Sequence, residues 1–348
     1  MNKIRIAQIG TSRYSHGEDI FAALKQAQDT FEVVGFAFPE NERAKFPERM
    51  TAFESSREMT LEEILNDPDI DAVTVETEEK YLTKYALLAA EHGKHIHMEK
   101  PGGTDPEAFE KLISAVKRNN IVFHIAYMYR YNPVISRVIQ EARAGEYGKI
   151  VSVDAQMSCT HPVAMRTWLK ELDGGMMFFL GCHLVDLVLR IKGSPNRIIP
   201  LNKSTGTDWI DCTDFGMAAL EYDTGVSVIK TCVTELGGFS RRSLVISGDK
   251  KTVEVRPLET FSGNGPTDIY SGVTEYSERD WAKPGIYSKS ENFDRYLAMM
   301  TAFGKMAAGE AVNPFTPDYE HELYKTVLKC CGDSRSVCHG IFKPLLGG

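Results

Sequence analysis

The stretch IRIAQIGTSRYSHGEDIFAALKQA, residues 4–27, decides the fold. An alternating apolar run, residues 4–9, ends at Gly10. Behind it Ile20, Leu24 and their apolar neighbours recur at helical spacing. A strand, a glycine and an amphipathic helix in this order are typical of the first unit of a parallel sheet that is covered by helices.

The next hundred residues repeat this pattern. We predict strands at residues 32–38, 72–76, 95–99 and 121–126, with a weaker one near Thr51. Two capping boxes, Thr60 with Glu63 and Thr104 with Glu107, mark helix starts. The pattern predicts a doubly wound α/β domain over residues 1–125.

Beyond Asn132 and Pro133 the pattern changes to a few helices and longer strands. The predicted helices begin at Pro133 and Gly175 and lie near 292–308 and 318–339, and the predicted strands are 149–157, 215–222, 226–233, 243–246 and 252–255. Residues 262–290, rich in Gly, Ser, Pro and Tyr, are predicted to be a surface excursion or a lid. We therefore expect an α+β second domain over residues 126–348.

Composition excludes several classes of protein. The 348 residues include 40 basic and 48 acidic ones, for a net charge of −8, and contain no basic block, which argues against nucleic-acid binding. The longest apolar stretch, residues 175–189, is interrupted by His183 and Asp186, which argues against a membrane span. The first ten residues are typical of a strand rather than a leader. Seven cysteines without CxxC spacing favour a reducing, cytoplasmic location.

The turn after the first strand is a partial dinucleotide fingerprint. Gly10 takes the position of its first glycine, but Ser12 and Ser15 replace the next two and Gly17 comes two residues late. On its own, this turn is as typical of an unspecialised strand-to-helix connection as of a phosphate-binding one.

Two further motifs carry chemistry. Glu99, Lys100 and Pro101 end a predicted strand, so that a lysine is held at the carboxyl edge of the sheet, where open α/β folds bind ligands. The apolar helix GGMMFFLGCHLVD, residues 174–186, carries one histidine, His183, with Asp186 three residues later.

Other polar residues allow two interpretations each. His95, His97 and Glu99 alternate along one strand and resemble a row of metal ligands, but no second cluster accompanies them, so sheet packing is favoured and no metal is predicted. His161, Arg166 and Trp168 precede the His183 helix and are predicted either to contact a carbohydrate or to form an ordinary exposed loop.

Taken together, these motifs resemble the glucose-fructose oxidoreductase/inositol dehydrogenase (Gfo/Idh/MocA) family over nearly the whole chain. The resemblance includes the segments EKP (99–101), RYNP (130–133), GEYGKI (145–150), GG…GxHxxD (174–186) and the strand pair around 220–230. It implies a Rossmann domain that binds NAD or NADP, followed by an α+β domain whose open, mostly antiparallel sheet forms a homodimer or homotetramer interface.

The resemblance also assigns residues. Lys100 would lie between nicotinamide and substrate, and His183 would be the acid/base. The expected cofactor-binding residues are Gly10, Thr11, Ser12, Arg13, Phe38, Arg43, Thr77, Glu99 and Lys100. The expected substrate-binding residues are Arg130, Arg166, Trp168, Phe179 and Asp186.

The chain departs from the family pattern at positions that bear on ligands. These are Ser12, Phe38, the pair Glu78 and Glu79, Leu82, and Phe179, which stands where family members often have a catalytic aspartate. Phe38 follows the second strand, where NAD enzymes place a carboxylate. Glu40 or Arg43 could replace that carboxylate, and the two favour opposite cofactors.

The expected function is therefore an NAD(P)-dependent oxidation of a hydroxyl group on a sugar, polyol or sugar derivative. One alternative is a lyase or glycoside hydrolase that keeps its nicotinamide bound and oxidises the sugar only transiently. The other is a regulatory protein of the same fold without catalysis.

Overall fold

The computed structural model describes residues 3–263 and 265–332. Its helices, in chain order, are α1 (Gly17–Gln26), α2 (Glu42–Lys45), α3 (Leu61–Asn66), α4 (Glu79–Glu91), α5 (Pro106–Asn119), α6 (Pro133–Arg143), α7 (Val163–Trp168), α8 (Cys182–Lys192), α9 (Leu297–Ala307) and α10 (Pro317–Cys331). Its strands are β1 (Ile4–Ile9), β2 (Phe31–Ala37), β3 (Ala72–Val75), β4 (His95–Met98), β5 (Phe123–Ile125), β6 (Ile150–Gln156), β7 (Arg197–Pro200), β8 (Phe215–Tyr222), β9 (Gly225–Cys232), β10 (Ser243–Gly248), β11 (Thr252–Val255), β12 (Thr260–Phe261), β13 (Ile269–Tyr270), β14 (Gly272–Tyr276) and β15 (Ile286–Lys289).

The chain forms two compact units. The first contains the chain up to Met128 together with Arg295–His321, and the second contains Tyr129–Asp294 and the described residues from Glu322 onward. The domain limits 1–125 and 126–348 stay a prediction. The first unit adds residues 295–321, which that division assigned to the second domain.

The first unit is a parallel sheet of five strands in the order β2-β1-β3-β4-β5, which confirms the predicted Rossmann-type fold. The strands are short and almost continuously buried, as parallel strands covered on both faces are. Phe21, Phe36 and Phe53 form an aromatic cluster beside the sheet. The predicted apolar face of α5, formed by Phe109, Leu112, Ile113 and Val116, is buried.

The second unit contains an eight-stranded sheet in the order β15-β14-β11-β10-β6-β9-β8-β7. All neighbouring pairs are antiparallel except β6 with β9, so the predicted open, mostly antiparallel sheet is confirmed. Burial alternates along its central strands: one face is buried, and the other stays half-exposed.

Three local predictions were wrong. The segment around Thr51 is a 3-10 helix, Pro47–Phe53, which places Phe53 in the aromatic cluster. The N-cap of α5 is Asp105, not Thr104. Pro106 takes the first helical position, and the Asp105 carboxylate accepts the backbone N–H groups of Glu107 and Ala108.

The third concerns the predicted excursion, residues 262–290. It contains β13, β14 and β15, and the last two extend the large sheet. The Thr60–Glu63 capping box is present as predicted.

Cys159, Cys212 and Cys232 are buried thiols, and Cys338 and the predicted helical residues 333–339 lie outside the described residues. None of the helices between residues 3 and 332 combines the length and apolar character that a membrane span requires. In the same part of the chain, no three His, Cys, Asp or Glu side chains are grouped so that they could hold a metal ion.

Candidate active site

Gly10 turns the chain sharply at the end of β1. Its φ is +84°, and a Cβ atom at this position would lie 2.3 Å from Cγ2 of Thr77. No residue with a side chain fits both the backbone conformation and the space. The turn therefore brings the backbone after β1 against the loop after β3, as the first fingerprint glycine does.

The loop from Gly10 leads directly into the N-terminus of α1. His16, the N-cap, makes no side-chain cap hydrogen bond, but Ser15 Oγ accepts the N–H of Gly17 at 3.2 Å, and two acidic residues follow in the first turn. Ser12 and Ser15 each accept the backbone N–H of the other, at 3.0 and 3.1 Å, so they close the loop without a glycine at position 12. A glycine turn before a helix start is where Rossmann folds hold a pyrophosphate, although the acidic first turn disfavours an anion here.

Glu42 lies directly on this turn, and the sequence reasoning missed it. Its Oε2 accepts the backbone N–H of Thr11 at 3.0 Å, and the side chain is fully buried. Burial raises the pKa of Glu42 to about 8. Glu42 Oε1 and Thr11 Oγ1 are buried without hydrogen-bond partners, which is the state expected of groups that bind a polar ligand.

The two residues predicted to replace the missing carboxylate have other partners. Glu40 accepts hydrogen bonds from Lys84 and Tyr85, at 2.6 and 2.7 Å. Arg43 pairs with Glu58 and lies over the ring of Phe38, 5.7 Å from its centroid.

Phe38 and Arg13 lie at the margins of this turn. The ring of Phe38 packs against Phe36 and Phe53, at 4.7 and 4.9 Å between centroids. Arg13 is half-exposed and forms an ion pair with Glu48 at 3.3 Å. Their assignment to the cofactor stays a prediction.

Lys100 is buried at the carboxyl end of β4. Its Nζ lies 3.6 Å from Oε1 of Glu99, and both side chains are at most 3% exposed. Glu76 and Glu79, after β3, are also buried. Burial, reinforced by the charge of Glu99, raises the pKa of Glu76, and burial raises that of Glu79 to about 7. Lys100 therefore lies in a low-dielectric environment, which strengthens its electrostatic interactions, and Glu99 is a charged neighbour within 4 Å.

A row of polar side chains crosses the same sheet. Gln8, Thr74, His97 and His124 are register partners on neighbouring strands. Thr74 donates to Gln8 at 3.3 Å, and the Nδ1 atoms of the two histidines are 2.7 Å apart. Burial lowers the pKa of His97 to about 3, so this ring is neutral. His97 is thus part of the sheet packing, the interpretation that the sequence favours over a metal site.

In the second unit, the helix that carries His183 is not regular. Met177–Gly181 form a π-helical turn, and α8 begins at Cys182. The turn starts from Gly175, whose φ is +49° and whose Cβ would lie 2.2 Å from the carbonyl oxygen of Thr213. The π turn widens the helix locally, one turn before His183.

His183 is 2% exposed, and the ring of Tyr129 meets it edge-on at 5.5 Å. The Tyr129 hydroxyl donates to Glu259 at 2.8 Å, and Arg242 lies 3.3 Å from the same carboxylate oxygen. No sequence motif points to Glu259 or Arg242, which lie in connections distant in sequence, just before β12 and β10. Tyr129 directly precedes the RYNP segment and could have been found there.

The predicted substrate residues of this unit are held by neighbours. Arg130 donates to both carboxylate oxygens of Asp186, at 2.8–3.2 Å, and this pair is buried. Asp186, expected to bind substrate, is therefore bound by Arg130.

The other three predicted substrate residues, Arg166, Trp168 and Phe179, also contact neighbouring side chains or backbone. Arg166 pairs with Asp208 and donates to the carbonyl oxygen of Thr207 at 3.2 Å. The rings of Trp168 and Phe179 meet edge-on at 5.2 Å. Burial and the charge of Arg242 lower the pKa of His161 to about 4.

Comparison with known proteins identifies both units. Residues 4–127 match the model of an oxidoreductase family with an NAD-binding Rossmann fold, and residues 135–254 match that of the GFO/IDH/MocA C-terminal domain. Together the two matches cover more than half of the chain.

Curated relatives are similar over parts of their length. Levoglucosan dehydrogenase of Pseudarthrobacter phenanthrenivorans is 29% identical over 136 residues, which are 37% of this chain and 35% of the relative. An NADP-dependent scyllo-inositol 2-dehydrogenase of Bacillus subtilis is 23% identical over 226 residues, 63% of this chain and 61% of the relative. The chain thus spans less than two thirds of the length of these relatives.

Solved structures share the fold over nearly the whole chain. A levoglucosan dehydrogenase in complex with NADH and levoglucosan has a TM-score of 0.75 at 17% identity and covers 95% of this chain and 98% of its own. A 3-ketoreductase from Actinomadura kijaniata in complex with NADP has a TM-score of 0.75 at 17% identity, with 94% and 96% covered. The chain therefore belongs to the GFO/IDH/MocA family of oxidoreductases, and its first unit is a Rossmann domain whose cofactor is NAD or NADP.

Proposed function

We propose that this protein is a dehydrogenase that oxidises a hydroxyl-bearing carbon of a sugar, polyol or sugar derivative. The observation that carries the proposal is the buried Lys100 at the carboxyl end of β4, on the sheet edge where Rossmann domains bind their dinucleotide. A lysine held there without solvent offers a fixed positive charge to a substrate oxygen.

The chemistry requires two roles from the chain. The bound dinucleotide supplies the hydride acceptor. The ammonium group of Lys100 stabilises negative charge on the substrate oxygen, and His183 removes the hydroxyl proton. In the second unit, the edge-on ring of Tyr129 restricts the orientation of the His183 imidazole.

Roles in substrate binding stay predictions. Arg166, Trp168 and Phe179 lie on α7 and the π turn before α8, in the same unit as His183. Arg130 and Asp186 bind each other, so we propose that this buried pair holds α8 in place and contributes to substrate binding only indirectly.

The test is a screen of the purified full chain for reduction of NAD or NADP with inositols, anhydrosugars and simple aldoses, followed by variants. Lys100→Met and His183→Asn should each lower turnover by about 100-fold or more while the fold survives. Lys111→Met and His92→Asn, at exposed positions, are the matched controls. Near-normal turnover in either active-site variant would show that the site is misplaced.

The same protein preparation separates the alternatives. A dinucleotide that co-purifies and supports turnover without added NAD(P) would favour the nicotinamide-retaining lyase or glycoside hydrolase. Absence of dinucleotide binding on titration would favour the regulatory protein.

We further propose a cytoplasmic location and assembly as a homodimer or homotetramer. Seven cysteines without CxxC spacing support the location. The half-exposed face of the eight-stranded sheet supports the assembly, because an open sheet face with apolar side chains is stabilised when another surface covers it.

A further inference from the structure

Three loops follow neighbouring strands at one edge of the first sheet. They are residues 10–16 after β1, 38–41 after β2 and 76–78 after β3, and the sheet order places β1 between the other two. Thr11 in the first loop binds Glu42 just beyond the second, and Gly10 touches Thr77 in the third. A group bound at this edge therefore meets all three loops.

The backbone of the second loop explains why Glu42 reaches the first. Glu40 and Asn41 both have left-handed backbone angles, with φ of 57° and 60°. Two successive left-handed residues turn the chain back on itself, so that the first residue of α2 points its carboxylate at the Thr11 N–H. This conformation is uncommon outside glycine and is retained here at a ligand-binding edge.

The hydrogen bond between the Thr11 N–H and Glu42 leaves two nearby polar atoms without a partner. Glu42 Oε1 and Thr11 Oγ1 are buried and have no partner. A carboxylate oxygen that lacks a donor, next to a hydroxyl that lacks any partner, matches the hydroxyl groups of a ribose. A phosphate in that place would bring more oxygen acceptors and more negative charge, which the ionised Glu42 carboxylate repels.

The positive charges around these loops already have partners. Lys45 binds Glu78 at 2.8 Å, Lys84 binds Glu40 at 2.6 Å, and Arg13 lies 3.3 Å from Glu48. Arg43 pairs with Glu58. A phosphate bound by these cations would have to displace a carboxylate, whereas the buried Glu42 carboxyl still has an oxygen without a partner.

We propose that Glu42 makes this protein select NAD over NADP, by accepting a ribose hydroxyl and repelling a 2′-phosphate. The inference rests on the proposed nicotinamide-dependent function. It assigns the selecting role to a residue on α2, whereas the position directly after β2 is occupied by Phe38.

The selectivity for NAD over NADP should depend on pH, because the charge of Glu42 does. Burial and the charges of Glu78 and Glu40 raise the pKa of Glu42, the Thr11 N–H and Lys45 lower it, and the net result is a pKa of about 8. The carboxyl therefore gains charge between pH 7 and pH 9. A phosphate monoester with a second pKa of about 6 is already ionised over this range. Selectivity against NADP should increase from pH 7 to pH 9.

The experiment is calorimetric titration of the full chain at pH 7 and pH 9 with NAD, NADP, ADP-ribose and 2′-phospho-ADP-ribose. The last two lack nicotinamide, so they report on the adenosine end without turnover. At pH 9, we expect NAD and ADP-ribose to bind at least about tenfold more tightly than their 2′-phosphorylated forms. The ratio of the two dissociation constants should be smaller at pH 7. Glu42→Gln should lower the ratio at pH 9 about tenfold and remove its pH dependence.

The matched control is Glu62→Gln, which removes the same charge from an exposed position on α3. It should keep the selectivity of the parent. Equal or tighter binding of the 2′-phosphorylated ligands by the parent at pH 9 would overturn the proposal, whether or not Glu42→Gln folds. An unchanged ratio in a folded Glu42→Gln protein would overturn it as well.

Failure of the proposed function looks different. If the parent binds NAD with this selectivity and oxidises no sugar or polyol, the role of Glu42 stands and the dehydrogenase activity does not. If the parent binds NADP more tightly and oxidises a sugar, the dehydrogenase activity stands and the role of Glu42 does not.

Discussion

Glu79, the first residue of α4, makes the stability of the first unit depend on pH. It is 3% exposed, and burial raises its pKa from 4.5 to about 7. The folded state thus holds the Glu79 proton more tightly than the unfolded chain does. The contribution of Glu79 to the free energy of unfolding is largest below pH 4.5 and falls as the pH rises to 7. Glu79→Gln should remove that loss, which amounts to up to about 3 kcal/mol at pH 8.

Denaturant unfolding at pH 5 and pH 8 measures this effect. The variant should lose less free energy of unfolding between the two pH values than the parent does. Glu91→Gln, at the exposed end of the same helix, is the control and should follow the parent. Parallel pH dependence in all three proteins would show that Glu79 is ionised in the fold.

Single residues also show where the sequence was sufficient and where it was not. Gly10 could be predicted, because a strand that ends at a glycine before an amphipathic helix has few other structures available. Glu42 could not, because its position depends on two left-handed residues, Glu40 and Asn41, neither of which is a glycine. The sequence analysis took Glu40 and Arg43 as candidates and missed Glu42, one of the two residues between them.

At the scale of elements, Phe179 is a buried residue of the π turn at Met177–Gly181. The ring is 5% exposed and packs edge-on against Trp168. We therefore expect Phe179→Asp to lower the free energy of unfolding by about 3 kcal/mol or more, because it buries a carboxylate without a positively charged partner. No oxidation of inositol or simple aldoses should be gained.

Thermal and denaturant unfolding, with an assay of polyol oxidation, test this prediction. Leu236→Asp places the same charge at a position that is 83% exposed in the same unit, and should change stability by no more than about 0.5 kcal/mol. If Phe179→Asp stayed as stable as the parent and oxidised polyols, Phe179 would belong to the substrate site.

Elements with a strong period were predicted well, and elements set by distant contacts were not. The apolar positions of α1 and α5 follow helical spacing, and β1, β8 and β11 have their predicted bounds. The strands β14 and β15 lack such a pattern, since they lie toward one edge of the sheet and β15 is exposed throughout. The pairing of β14 with β11 and of β15 with β14 depends on contacts that local composition does not encode.

For the whole molecule, the half-exposed sheet face carries a prediction of assembly. Ala219, Val228, Asp154 and Val245 form a row of register partners across β8, β9, β6 and β10 on that face. We expect the parent to sediment as a homodimer or homotetramer. Val228→Lys should shift it toward monomers, because two symmetric copies would bring like charges together.

Sedimentation velocity at micromolar concentration measures the change. Val312→Lys, at a position that is 91% exposed in the first unit, is the control. The lysine at position 228 lies opposite Asp154, so the fold itself is not penalised. A monomeric parent, or an unchanged assembly in Val228→Lys, would contradict the prediction.

Helix α9 packs on the first sheet but is synthesised long after the strands of that sheet. Its Phe303 stacks on His124 and touches His97, each at 5.7 Å between ring centroids, and Gly304 fits closely against Thr30. This cover for the first sheet begins at Leu297, about 170 residues after β5 ends. At a ribosomal rate of about 5–20 residues per second, the delay is on the order of ten seconds. Throughout that interval the nascent chain carries the residues of all five strands while the His97–His124 pair lacks its cover, and we expect chaperones to bind it until α9 emerges.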